Sequence, residues 1–429
     1  MTGRSPDPSP YFGRDEPTIE QDLGELGALL LDAGMSVTDV RTSLEAVSGT
    51  VIAAQPVSFA VLPEAVWVTR DNSGESIMVY GGRTELSFRQ AAAATRLAQQ
   101  AISATVPAAE ISRRIAQIRA QTRPHPVVSA TVGNALIAGG LAIVFRCPWW
   151  SILVAAAVGT LVGVLMLLLG RVREGTAITP FVAAFTSTLI VGAVAGAGDF
   201  GSVPLFGVCA PVAILVPGLV ITNALLELTS TDIVTGASRL LYGVIMLGFM
   251  AAGISAGAAV TGLRIDPSSA ALVGQIRSVA GSAGWQALPP VWMSWVGVIV
   301  IAVGLGLAFG SGPRLTILTV IVMLCTYGVL TVSTVLVGSI VATGVTAAVL
   351  FIGARVIEGL TVAVPATVSF QPAYLLLVPG TVGLVALAAL DTNSLQTTPA
   401  IFASLCIGIK VGALIAEMCL RPLGTFARR

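Results

Sequence analysis

From residue 127 to residue 420 the chain alternates between apolar runs of about 20 residues and short polar or glycine-rich breaks. A run of that length crosses a hydrocarbon core of about 30 Å as a helix. Ten such spans can be drawn, at about 127–145, 149–169, 178–198, 204–226, 237–260, 289–309, 315–331, 334–354, 362–388 and 398–420.

Residues 17–126 follow a different pattern. Leu23, Leu26, Leu30 and Leu31 make a helical stripe that stops at Gly34, a residue type suited to ending helices. Ser36 and Asp39 have the spacing of a capping box, and Val37, Val40, Leu44 and Val47 continue at helical intervals. The runs "VSFAVLPEAVWVTR" and "SIMVY", separated by "DNSG", read as strands around a turn. Two further helical stretches follow, the second opening after Pro107 as "AAEISRRIAQIRAQ". The expectation is a small cytoplasmic α+β domain over 17–126, preceded by a disordered polar tail, 1–16, that lacks the apolar centre of a secretory signal.

Composition narrows the class. Of 429 residues, 55% are apolar and 10% charged, against about 25% charged in soluble domains. The fold class is therefore a polytopic α-helical membrane protein. A net charge of +1 gives no basic stripe for nucleic acid. The five cysteines lie scattered in apolar runs and the one histidine, His125, stands between prolines. No metal site, cofactor site or histidine-based catalytic set is expected.

Charge placement then sets orientation. With the N-terminus cytoplasmic, twelve arginines lie near the membrane on the inside, among them Arg113, Arg171, Arg239, Arg314 and Arg355, and three outside: Arg146, Arg264 and Arg277. The bias places both termini and the α+β domain in the cytoplasm.

A shift of 162 residues superposes spans one to five on six to ten. Pro204, Pro211 and Pro217 fall within one residue of Pro365, Pro372 and Pro379, and Gly218 meets Gly380, so "LVPG" occurs once in each half. Five spans per half require the second copy to insert inverted, an arrangement found in secondary transporters, whose broken helices form midplane sites. The expected organisation is a first membrane repeat at 127–262, an external linker at 263–288, a second repeat at 289–420 and a cytoplasmic tail at 421–429. A Pro-Gly pair costs helix stability by roughly 3 and 1 kcal/mol, and freed backbone groups at membrane depth must line a wet cavity or lie inside protein. A plain packing kink is the competing reading.

Ionisable residues inside a membrane mark function. Lys410, the only lysine, falls mid-span in the tenth run. It suits a carboxylate ligand, proton coupling or a structural ion pair. Asn223 and Glu227 follow the first break, and Asp232 and Arg239 follow in turn. Glu227 and Asp232 equally suit a solvated loop.

"LGALLLDAGMSVTDVRTSLEAVSG" resembles the N-terminal signature of the threonine/serine exporter family, and "LVPGLVITNALLELTSTDIVTGASRL" resembles its membrane motif through Pro217, Gly218, Asn223, Glu227, Asp232, Gly236 and Arg239. The resemblance implies proton-driven export of threonine and serine across a bacterial plasma membrane. The repeat, the charges inside the spans and the resemblance together give the candidate transport residues Pro217, Gly218, Asn223, Glu227, Asp232, Arg239, Pro379, Gly380 and Lys410. Some relatives handle small dicarboxylates such as succinate, so that substrate class stays open. So do a homo-oligomer and, from other classes, a membrane hydrolase or a ligand-gated channel that uses the soluble domain. The partners implied are a small polar metabolite, protons and the lipid bilayer.

Overall fold

The computed structural model describes residues 18–51, 57–72, 74–81, 86–122, 125–172, 175–266, 284–361, 371–377 and 392–426. The chain divides into two compact units, Met1–Leu86 with Ala93–Gln121 and Ser87–Ala92 with Thr122–Arg429.

In the first unit, helix α1 (Ile19–Asp32) is capped by Thr18, whose hydroxyl accepts from the Gln21 N–H at 3.4 Å. Gly34, at φ 81°, turns the chain into α2 (Val37–Val51). Ser36 caps α2: its hydroxyl accepts from the Asp39 N–H at 3.1 Å and donates to the Asp39 carboxylate at 2.7 Å. Three antiparallel strands follow, β1 (Val57–Leu62), β2 (Ala65–Arg70) and β3 (Ser76–Tyr80), in the order β1-β2-β3. One long run in the sequence is thus two strands. Pro63 and Glu64 form the turn between them, since proline cannot donate to a ladder. Helices α3 (Phe88–Ile102) and α4 (Ala108–Arg119) complete the order.

Val66 and Val68 are fully buried beneath α1. A side chain at Gly24 or Gly27 would meet Val79 at 2.6 Å or Val66 at 3.0 Å, so these glycines let the helix lie directly on the sheet. The other sheet face exposes Trp67, Met78 and Tyr80.

Three acids of α1 are buried with partners on other elements. Glu20 accepts from Arg70, Asp22 from the Ser112 hydroxyl, and Asp32 pairs with Arg119 at 2.9 Å. Burial acts to raise the Glu20 pKa, but the hydrogen bond and charge of Arg70 outweigh it and hold the carboxyl below its ordinary value. Burial pushes Asp22 up, against the pull of Ser112. A depressed acid stabilises the fold above its unfolded pKa and loses that contribution as pH falls through the folded value. Glu20→Gln should therefore weaken hydrogen-exchange protection of α1 at pH 7. The difference from the parent should fade as pH drops below about 4.3, the ordinary glutamate value.

The second unit is helical. Helices α5 (Pro126–Val144), α6 (Trp149–Leu169) and α7 (Gly175–Ala197) precede a short parallel bridge between β4 (Val203–Pro204) and β5 (Ile265–Asp266). Between those strands lie α8 (Leu205–Cys209), a 3-10 turn (Ala210–Leu215), α9 (Gly218–Leu228) and α10 (Ile233–Thr261). The chain continues through α11 (Met293–Ala308), α12 (Pro313–Val337), α13 (Ser339–Thr361), α14 (Tyr374–Leu377) and α15 (Thr392–Phe426). Among the described residues seven helices are long and apolar enough to cross a membrane, or eight if the bent pair 205–215 and 218–228 counts as one span. The protein is a polytopic helical membrane protein. Helix α11 is shorter, and most of the expected span 362–388 lies outside the described residues. The expected break near 331–334 is absent. Thr331 and Thr334 donate to the carbonyls of Tyr327 and Leu330, each at 2.7 Å, so their polarity is absorbed inside α12 and the turn waits for Gly338 at φ 79°.

Small residues set the helix packing, as is common in membranes. Helices α5 and α11 run antiparallel along a seam of four glycines. A Cβ on Gly133 would meet the Gly304 carbonyl at 2.8 Å, and one on Gly304 the Gly133 carbonyl at 2.9 Å. Gly140 and Gly297 reciprocate in the same way, each at 2.9 Å. Two parallel helix pairs pack through small residues in the same way. Gly253 and Gly257 of α10 step along Ala184 and Thr188 of α7, while Gly408 and Gly412 of α15 step along Gly344 and Ala348 of α13.

Candidate functional site

The break in the fourth span is a sharp corner. Prolines 204 and 211 open α8 and the 3-10 turn. Val216 is extended, Pro217 caps α9 at φ −77° and ψ 48°, and the Gly218 N–H donates to the Val216 carbonyl at 2.7 Å. The two halves are bent by 68°. Gly218 does not adopt a positive φ. It is the first residue of α9, so the pair works as a start signal for the second half-helix.

From that corner a polar stripe runs along α9. The Thr222 hydroxyl, fully buried, donates to the Gly218 carbonyl at 2.9 Å. Asn223 is buried one turn before Glu227, on the same face. Glu227 has no exposure, and Arg239 Nη1 donates to its Oε1 at 2.6 Å across the turn to α10. The pair lies in the last turn of α9, about 14 Å from Gly218 at 1.5 Å per residue. Of the two readings open for Glu227, the solvated loop does not hold: Gly236 removes the side chain that would strike the Ala224 carbonyl at 2.7 Å, so α10 closes over the carboxylate.

The turn itself is tightly built. The Glu227 carbonyl accepts from the N–H groups of Ser230 and Asp232, both at 3.0 Å, with Thr231 at φ 69°. Asp232 is half-buried and stands immediately before α10, where its carbonyl accepts from the Gly236 N–H. Lys410, exposed on α15, donates from Nζ to the Ser230 hydroxyl at 2.6 Å, and Ser230 in turn donates to the Leu226 carbonyl at 2.8 Å. Glu227 and Arg239 thus pair at one end of α9, where Lys410 reaches Ser230 and Asp232 stands before α10, while Asn223 lies midway along α9 and Pro217 and Gly218 stand at its other end. Pro379 and Gly380 lie outside the described residues.

Two polar positions were not singled out from the sequence. Ser230 links Lys410 to α9, which no spacing rule could reveal across 180 residues. Asn134 is buried in α5, its amide 3.9 Å from the Met166 sulfur, and an asparagine inside an apolar run was a readable signal.

The model of the family described as "Putative threonine/serine exporter" matches residues 23–261. That stretch takes in most of the first unit, the broken span and Arg239. A curated relative, Pheromone-regulated membrane protein 10 of Eremothecium gossypii, is 26% identical over 171 residues. The match covers 38% of this chain and 22% of that protein, so the chain spans less than a quarter of that relative's length. No solved structure matches. The family match covers more than half of the chain, and it takes in the whole of α9. The chain therefore belongs to the threonine/serine exporter family, a family of membrane transporters rather than enzymes.

Proposed function

We propose that the protein exports small polar metabolites, L-threonine and L-serine first among them, in exchange for protons. The observation that carries this reading is the polar cluster joining α9, α10 and α15: two cations, a buried carboxylate and a buried amide inside an otherwise apolar helical unit. Ionisable groups in such surroundings are expensive to hold and are retained for transport or coupling. An amino-acid zwitterion finds a partner there for each of its charges.

The same proposal includes ten spans in two inverted repeats, with both termini and the α+β unit on the cytoplasmic side of a bacterial plasma membrane. The reciprocal glycine seam supports it, because the first helices of the two halves meet antiparallel through glycines whose spacing matches the repeat register to within two residues. The paired stacking of α7 with α10 and of α13 with α15, third and fifth helices of each half, supports it further. In this arrangement the site lies between the broken fourth span and the tenth, on the cytoplasmic side of the break. Two cations in one cluster also suit a dicarboxylate such as succinate.

Inside-out vesicles loaded with a proton gradient should accumulate labelled threonine, and unlabelled serine should compete. Gradient-dependent uptake of succinate without threonine would move the substrate to the dicarboxylates, and no gradient-dependent flux of any of the three would sink the reading. Lys410→Met should raise the threonine KM about tenfold, the loss of one charged hydrogen bond, while leaving the amount of protein in the membrane unchanged. An unaltered KM would remove Lys410 from the site.

A further inference from the structure

We propose that Glu227 is the group on which proton and substrate compete, and that the Glu227–Arg239 pair is the seat of an α-amino-acid zwitterion. The inference rests on the export reading above and gives it a coupling mechanism. Glu227 is fully buried and holds Arg239 through a 2.6 Å hydrogen bond. Arginine stays charged at any physiological pH, so the only member of the pair that can release and take a proton is the carboxylate.

The charged groups around Glu227 leave it that role. Arg239 comes from α10, and Asp232 stands in the connecting turn, half-buried. Lys410 reaches the same turn from α15 and is held by Ser230, while α14 brings no charged residue. Asn223 adds an uncharged amide one turn away on α9.

An amino acid carries the same two charges as the pair, joined through one carbon. Entering between the partners, its ammonium takes the place of Arg239 on Glu227, and its carboxylate takes the place of Glu227 on Arg239, with Lys410 close by. No charge is left unpaired at any stage of that exchange. A proton on Glu227 removes the acceptor for the ammonium, so the protonated site refuses the substrate. Substrate binding therefore expels the proton from the carboxyl to water, and protonation expels the substrate. That mutual exclusion is what an exchanger requires. A dicarboxylate brings no ammonium and would place a negative charge against Glu227.

Calorimetric titration of the purified full chain with threonine, in buffers of different ionisation heat, tests this. On the acidic limb about one proton should be released per threonine bound, with affinity falling about tenfold per pH unit, as linkage requires for one competing proton. Glu227→Gln should bind threonine at least tenfold more weakly at neutral pH, with no pH dependence and no proton release. Glu227→Asp, which preserves the titrating group, should restore proton release at a shifted pH and shows that the site still assembles. N-acetylthreonine, lacking the ammonium, should not compete.

Three results would overturn the assignment: an unchanged pH slope in Glu227→Gln, proton uptake on binding, or competition by N-acetylthreonine equal to that of threonine. A parent protein that binds neither threonine nor serine at any pH would instead overturn the export reading itself.

Discussion

Arg239→Ala is expected to destabilise the purified protein by about 3–5 kcal/mol, the scale found when one partner of a buried ion pair is removed. The carboxylate of Glu227 has no exposure and Arg239 is itself mostly buried. Without the guanidinium, the carboxylate must either stay charged in an apolar surround or take up a proton to escape that penalty. Thermal unfolding in detergent at pH 8 and at pH 5.5 would separate these responses. The variant's deficit should shrink at the lower pH, because protonation removes the uncompensated charge. The double variant Glu227→Leu with Arg239→Leu should recover most of the lost stability, since replacing a whole buried pair by apolar groups is often neutral or better. Transport should not return with it. A double variant as unstable as Arg239→Ala would show that the pair holds α9 to α10 by packing rather than by charge.

Gly133→Leu should abolish the monodisperse folded species altogether. Its Cβ would lie 2.6 Å from the Ala308 N and 2.8 Å from the Gly304 carbonyl, atoms of a helix backbone that cannot rotate aside. Overpacking between movable side chains costs about 1–3 kcal/mol. Here α5 and α11 must part along their length, so the loss should exceed that range. The control is Gly248→Leu in α10, where an added side chain meets nothing within 4 Å and glycine is exposed. Size-exclusion profiles of the two variants at equal expression should differ sharply. Similar profiles would mean that the seam can open.

How far the sequence carried can be judged from particular elements. The ends of α5, α6 and α7 were readable within a few residues, because an apolar run of fixed length leaves a helix in lipid little freedom over where it starts and stops. The α1 stripe and the Ser36–Asp39 cap were readable for a local reason, as both depend on spacing within a single turn or two. The hairpin at Pro63–Glu64 was missed because β-branched residues run on both sides of it without the glycine or asparagine that usually announces a turn.

The broken span was visible as prolines, but its meaning was not. Sequence alone placed Asn223 and Glu227 beyond the break but did not pair Glu227 with Arg239, and that ion pair sits at the far end of α9. Which residue Glu227 would meet depends on how the turn 229–232 folds, with Thr231 in the left-handed region, and no periodicity specifies that. The partner of Lys410 is a serine in the other half of the chain. Contacts of this kind are properties of the assembled helices.

The glycine seam between α5 and α11 has a consequence for how the polypeptide must be connected. What Gly133 does to Gly304, Gly297 does to Gly140, so the glycine contact between α5 and α11 is the same from either side. Such an isologous joint does not need a covalent tether to define it. A chain cut within 267–283 and expressed as two polypeptides should reassemble in the membrane through that joint, and co-purification of the two fragments on a single tag would report it.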